Sequence, residues 1–239
     1  KYSEQENRKL ASKPNFNMNS FKDGSFSNKY EKYVNDQFLF RDKWINIKSI
    51  GELILGKKEN NNIVYGKDGY MFEKVQSIDF QRLYKNIEAI ESFTNKVHTQ
   101  NSKVAFMIVP SSYSILKEKV PYGLNMIDEL KFINEINEKI NKKNIVDITD
   151  ILKNNKDQYI YYKTDHHWTI KGAMLAYEKF LNHINEESID FKKYEINKIE
   201  NFLGSYYAKS KDFKAEKDYI SFLELNNIYM KLDYGKECN

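Results

Sequence analysis

The chain of 239 residues reads as an α/β protein, a doubly wound or flavodoxin-like three-layer sandwich on a mainly parallel sheet. Three observations predict this. Short apolar runs at residues 103–109 and 144–148 flank an amphipathic helical pattern, which is the order of a βαβ unit. The first run shows no polar alternation and stops at Pro110, as a strand buried on both faces does. A composition of 41% hydrophobic and 15% aromatic residues supplies apolar surface for a core, and the length suits one large domain.

The elements follow in order. The first 30 residues are polar, with Pro14 and Asp23-Gly24 as turn signals, and read as an irregular surface arm. Tyr30, Tyr33, Val34 and Phe38, then Trp44, Ile45 and Ile47, suit two helical segments around Phe38-Leu39-Phe40. Residues 1–50 are thus expected to be an arm and helices packing on residues 51–239, the α/β domain, as one structural unit. Ile63-Val64-Tyr65 and Tyr70-Met71-Phe72 flank Gly66-Lys67-Asp68-Gly69, a hairpin signal in which Asp-Gly supplies positive φ. Leu83, Ile87, Ile90 and Val97 mark an amphipathic helix over residues 80–97, and the strand 103–109 follows, beginning at Lys103. Ile127, Leu130, Ile133, Ile136 and Ile140 mark a second helix, Asn144-Ile145-Val146-Asp147-Ile148 a second short strand, and Tyr159-Ile160-Tyr161-Tyr162 a third. Thr169 suits the N-cap of a last helix reaching residue 184, with Ala173, Ala176, Tyr177, Phe180 and Leu181 on its buried face.

Charge excludes some functions. Thirty-eight basic against 34 acidic side chains leave +4, too small a surplus to imply nucleic acid or an anionic membrane as partner. Arginine occurs only at Arg8, Arg41 and Arg82, and lysines interleave with acids, a pattern of coding bias more than of a selected basic surface. The single cysteine, Cys238, rules out an intrachain disulfide and a Cys-based metal cluster. No cofactor is expected. The longest apolar run, residues 104–109, is far short of the roughly 20 residues that span a bilayer, so no transmembrane helix is expected. The sequence opens on a polar stretch without an initiator Met, so a removed upstream segment, such as a signal or anchor, is expected.

The densest chemical cluster is Thr164-Asp165-His166-His167-Trp168-Thr169, at the end of an expected strand and the start of an expected helix. Asp165 and His167, two apart, can face one side, and the carboxylate can then hold one imidazole nitrogen in a fixed tautomer. That is what a general base needs. Two other readings stay open: simple helix capping by these polar groups, and a metal site of the Asp-His-His type found in manganese-dependent phosphoesterases. The latter would use Asp165, His166 and Asp147, but neither Asp147 nor Asp150 sits in an Asp-x-Asp ligand motif.

Asp165-His166-His167-Trp168, followed by Thr169 and Gly172-Ala173, resembles the signature of the DHHW protein family of Gram-positive bacteria. Other segments resemble that family in the same order: Glu6-Asn7-Arg8 with Leu10-Ala11 and Pro14, Asp36-x-Phe38 with Arg41-Asp42, and Gly66-Lys67-Asp68-Gly69-Tyr70. Val109-Pro110-Ser111-Ser112 with Pro121, and Phe202-Leu203-Gly204-Ser205-Tyr206-Tyr207, complete the set. The family is similar to the SGNH-hydrolase-like domains of alginate O-acetyltransfer proteins. The resemblance implies an SGNH-hydrolase-like sandwich and an extracytoplasmic protein, secreted or membrane-anchored, acting on the acyl groups of a cell-surface polysaccharide. It also implies a membrane O-acyltransferase as donor-side partner. Carried over by motif, His167 is the general base and Asp165 its orienting partner, with His166 and Trp168 shaping the pocket.

The pattern breaks at the nucleophile. Such proteins place it in an Asp-Ser-type turn well after the Asp-x-His motif, and no Asp-Ser dipeptide occurs in this sequence. The expectation is therefore a serine absent from this chain and a family fold interrupted at its C-terminal end. Ser112, at a strand exit, and Ser205 are the pocket candidates that remain, while Asp23-Gly24-Ser25-Phe26 reads as a turn without a preceding strand. His98 and His183 fall within expected helices without partner motifs, and Arg41 suits an ion pair inside the N-terminal helices. A carbohydrate-binding or scaffold protein on the same fold, without catalysis, is the alternative to the acetyltransferase or esterase reading.

Overall fold

The computed structural model describes residues 2–3, 8–97, 102, 104–224, 230–231 and 237–238. Glu6, Asn7, His98 and Lys103, all used in the sequence reading, lie outside the described residues.

The centre of the molecule is built by a hairpin and the segments that fold against it. Strands Ile63–Tyr65 and Met71–Glu73 pair antiparallel, Val64 opposite Phe72. Between them Asp68 and Gly69 take left-handed backbone, with φ of 56° and 75°, as the Asp-Gly signal requires. Side chains alternate along the second strand. Tyr70 and Phe72 enter the main core with Tyr113, Leu116, Ile148 and Tyr161, whereas Met71 joins Ile63 and Tyr206 in a smaller cluster. The hairpin thus separates the core from the segment that carries Ser205 and Tyr206.

Helices Phe80–Val97, Glu129–Lys139 and Ile170–Ile184 stand where the periodicity places them. The last is capped as expected. Thr169 holds extended backbone and its side chain accepts from Gly172 N–H, satisfying one of the unpaired donors of a first helical turn.

The mainly parallel sheet is not what the described residues form. Their sheets are small and antiparallel. The expected strands 103–109 and 144–148 meet in a single parallel bridge, Phe106 with Ile145, held by Phe106 N–H donating to Asn144 O at 2.5 Å and Val146 N–H donating to Phe106 O at 2.9 Å. The third, at 159–162, makes one antiparallel bridge, Tyr161 with Trp168. The apolar run is also not buried on both faces, since Val109 is 42% exposed. An apolar run of this length is compatible with a buried strand, but pairing and burial depend on which backbones come alongside, and that is a tertiary matter.

The N-terminal region is more helical than a polar arm suggests. Helices Met18–Lys22, Ser25–Gln37 and Arg41–Ile54 follow one another. The Asn17 side chain caps the first, its Oδ1 accepting from Asn19 N–H, and Asp23, just before the N-cap Gly24 of the second, accepts from Ser25 N–H through Oδ1, both at 2.8 Å. Asp23-Gly24-Ser25 is thus a helix start. Arg8 donates through both terminal nitrogens to Asp36, at 2.9 and 2.6 Å, and Ala11 N–H joins them at 2.7 Å. The Arg8 hydrogen bonds hold the Asp36 carboxyl far below the usual range. Arg41 contacts Asp42 at 3.3 Å. Buried Ser49 donates to Lys211 O at 2.8 Å, and Asn60 and Asn61 donate to Ser210 O and Lys209 O. These three side chains satisfy carbonyls at the end of helix Ser205–Ser210, so the region before residue 62 supports the segment that begins with Ser205. Among the described residues no helix is long and apolar enough to cross a membrane.

Candidate active site

The Asp165 loop is a tight return. Tyr162 N–H donates to His167 O and Thr169 N–H to Ile160 O, at 3.3 and 2.9 Å, so residues 163–166 bulge out between two antiparallel stems. Asp165 lies inward and both histidines outward: its side chain is 9% exposed, those of His166 and His167 52% and 64%.

Asp165 is surrounded by donors. Its Oδ1 lies 2.6 Å from His167 Nδ1 and accepts His167 N–H at 2.9 Å, while Oδ2 accepts Ser205 N–H at 2.7 Å. Burial pushes this carboxyl up, but the donations from the Ser205 and His167 backbones and from the His167 ring together outweigh it, and the group is held below its ordinary range. An ionised carboxylate only accepts, so the hydrogen between it and His167 belongs to Nδ1. Nε2 is then the nitrogen left to take a proton, the tautomer of a general base.

His166 turns the other way. Its Nδ1 lies 2.7 Å from Ser205 Oγ and 3.5 Å from Asp165 Oδ1, and its ring rests on His167 with centroids 3.7 Å apart. Glycine makes this approach possible, because Gly204 lies directly against Asp165 and brings Ser205 within reach of it.

His166, His167 and Trp168 line a cleft of about 410 Å³ whose remaining walls include Val75, Val109, Pro110, Ser111, Tyr113 and Tyr206. Burial raises the Tyr113 phenol to about 12 and pushes that of Tyr206 higher still, so both walls are neutral. Ser112 is 1% exposed and lies behind this surface; its neighbour Ser111 is the serine on the cleft. Ser111 Oγ and N–H both donate to Glu129, at 2.7 and 2.8 Å. Sequence reasoning passed over Ser111, Tyr206 and Glu129. The Val-Pro-Ser-Ser run pointed to the right turn, but which serine faces out depends on the direction of the turn after Pro110.

The metal reading loses its third ligand. Among the described residues, the group whose ligand atoms converge is Asp165, His166 and His167. Asp147 is not in it, and its Oδ1 instead accepts Thr149 N–H at 2.9 Å. The ring nitrogen that His167 would offer such a cation, Nδ1, already lies 2.6 Å from Asp165 Oδ1.

Several solved structures share this fold. A DHHW family protein from Eubacterium siraeum is 23% identical and matches with a TM-score of 0.59 over 72% of this chain and 57% of its own. PatB1 of Bacillus cereus is 19% identical with a TM-score of 0.56 over 74% and 64%. The O-acetyltransferase domain of Pseudomonas putida AlgJ is 16% identical with a TM-score of 0.54 over 67% and 63%. The chain thus spans less than two thirds of each. A search of curated proteins finds no match. Residues 63–202, which hold the hairpin, the Asp165 loop and every named wall of the cleft except Tyr206, match the model of the SGNH hydrolase-like domain of acetyltransferase AlgX, and the chain belongs to that family.

Proposed function

We propose that the chain is an extracytoplasmic O-acetyltransferase or esterase-type domain acting on a cell-surface polysaccharide. The observation that carries this reading is the contact between Asp165 and His167 Nδ1, 2.6 Å, on a ring that borders a cleft. In the proposed reaction, Nε2 of His167 takes the proton of a serine hydroxyl as the serine oxygen attacks the acetyl carbonyl. The same proton passes to the departing alcohol oxygen, leaving an acyl-serine. A sugar hydroxyl or water then gives its proton to His167 and takes the acetyl group, and His167 returns the proton to the serine. Asp165 stays ionised and steadies the imidazolium. A membrane O-acyltransferase is the proposed source of the acetyl group.

The acyl-carrying serine is proposed to lie outside residues 1–239, because no Asp-Ser dipeptide occurs in them. The test is acetate release from acetyl esters by the full gene product and by its His167→Ala variant. Release at least tenfold faster by the unaltered protein supports the reading; equal rates overturn it.

The missing Asp-Ser turn also favours a second reading, a carbohydrate-binding protein on the same fold. Glycan binding that persists unchanged in Asp165→Asn and His167→Ala, together with equal acetate release, would select it.

A further inference from the structure

We infer that Asp218 is the positioning residue of this site, acting on Asp165 through Thr164; the inference rests on the Asp165–His167 pair being the functional base. Asp218 opens the strand Asp218–Leu223 and is 3% exposed. It touches neither histidine. Its Oδ1 accepts from Tyr159 OH at 2.5 Å and from Lys163 N–H at 3.0 Å, and its Oδ2 accepts from Thr164 N–H at 2.8 Å and Thr164 Oγ1–H at 2.6 Å. Four donors fill the four lone-pair positions of one carboxylate. Burial and the Asp218 carboxylate push the Tyr159 phenol far up, so Tyr159 keeps its proton and serves as a donor.

The polarity of this arrangement determines what Thr164 can do. With its hydroxyl hydrogen committed to Asp218, Thr164 Oγ1 presents a lone pair, and Gly204 N–H donates to it at 3.1 Å. Thr164 O in turn accepts Tyr206 N–H at 2.9 Å and Tyr207 N–H at 3.2 Å. Thr164 is therefore pinned between Asp218 and the segment 204–207. Asp165 follows it in the chain and takes its second anchor, Ser205 N–H, from that same segment. Asp218 thus controls both sides of Asp165: the backbone that carries it and the loop that donates to its Oδ2.

Asp218→Asn keeps the shape but turns an amide N–H₂ towards at least two of the four donors, whichever way it is flipped. The direct readout is the His167 tautomer, followed by long-range ¹H–¹⁵N correlation of the imidazole at alkaline pH, with His167→Ala assigning the signals. The unaltered chain should show the Nδ1–H form alone. Asp218→Asn should shift the two nitrogen resonances towards one another as the Nε2–H form appears, while Tyr159→Phe, which leaves the three other donors in place, should retain the single form. Thr164→Val carries the same test if Asp218→Asn does not fold, since it removes the hydroxyl relay to Gly204. In the full gene product, Asp218→Asn should lower kcat about 10- to 100-fold with KM little changed, as for a displaced reacting group. A folded Asp218→Asn, or failing that Thr164→Val, that keeps the Nδ1–H form overturns the inference and leaves the base pair standing. Absence of that form in the unaltered chain overturns the base-pair reading and this inference with it.

Discussion

A Cβ atom placed on Gly204 would lie 2.3 Å from Asp165 Cβ and 2.5 Å from its Oδ2. No real Cβ contact is that short, so residue 204 can lie against the Asp165 side chain only as glycine. That close approach brings Ser205 N–H to the carboxylate. Gly204→Ala should force the segment outward, cost about 1–3 kcal/mol as overpacking does, and break the Ser205 bond. Urea denaturation reads the first effect, and exchange of the Ser205 amide hydrogen, faster in the variant, reads the second. Unchanged values for both would show that the loop has room that the geometry denies.

Asp165→Asn tests the orienting role. The amide can offer an N–H to Nδ1 and so favour the wrong imidazole tautomer. Acetate release by the full gene product should fall by on the order of 10⁴-fold if Asp165 acts as the orienting acid of a catalytic triad does. A loss under tenfold would remove it from that role.

Acidification should weaken the fold at two carboxylates. Asp36, through its Arg8 bonds, and Asp165, through its backbone and His167 donors, both have folded values below their ordinary ones. The sign follows from linkage: a depressed folded value contributes stability that is fully present above the unfolded carboxyl value near 4 and is lost as pH falls through the lower folded value. Stability measured by denaturant from pH 6 downward should therefore begin to drop near pH 4, and Asp36→Asn should flatten part of that slope. An identical slope in Asp36→Asn would exclude Asp36 as a source.

The hydroxyl of Ser49 ties helix Arg41–Ile54 to Lys211 O inside the protein. Ser49→Ala removes that hydrogen bond and should cost about 1 kcal/mol, with unfolding remaining a single transition if residues 1–50 and 51–239 form one unit. A separate early transition, unaffected by Ser49→Ala, would argue for two.

Much of this site was legible in the sequence because its key contacts are local. Asp165 and His167 are two residues apart, so the turn that carries them nearly suffices to join them, and Thr169 can cap its helix wherever that helix lies. The hairpin at Asp68-Gly69 is local in the same sense, since a left-handed pair of residues folds the chain back on itself. Ser111 and Ser112 show where that kind of reasoning ends. They are adjacent and chemically identical, and only the path of the chain after Pro110 puts one on the cleft and the other behind it.

What the sequence by itself determined is the set of elements governed by spacing and backbone preference: the amphipathic helices, the Asp-Gly hairpin, and the short-range chemistry of Asp165-His166-His167-Trp168. Tertiary structure alone decided that residues 103–109 and 144–148 meet at one bridge in place of a parallel sheet. It alone brought Ser205, 40 residues beyond Asp165, onto its Oδ2, and set Asp218, 54 residues beyond Thr164, beneath the loop. The physical reason is that a hydrogen bond between distant residues leaves no periodic trace: the glycine at 204 is written in the sequence, but the close approach to Asp165 that requires it exists only once the chain has folded.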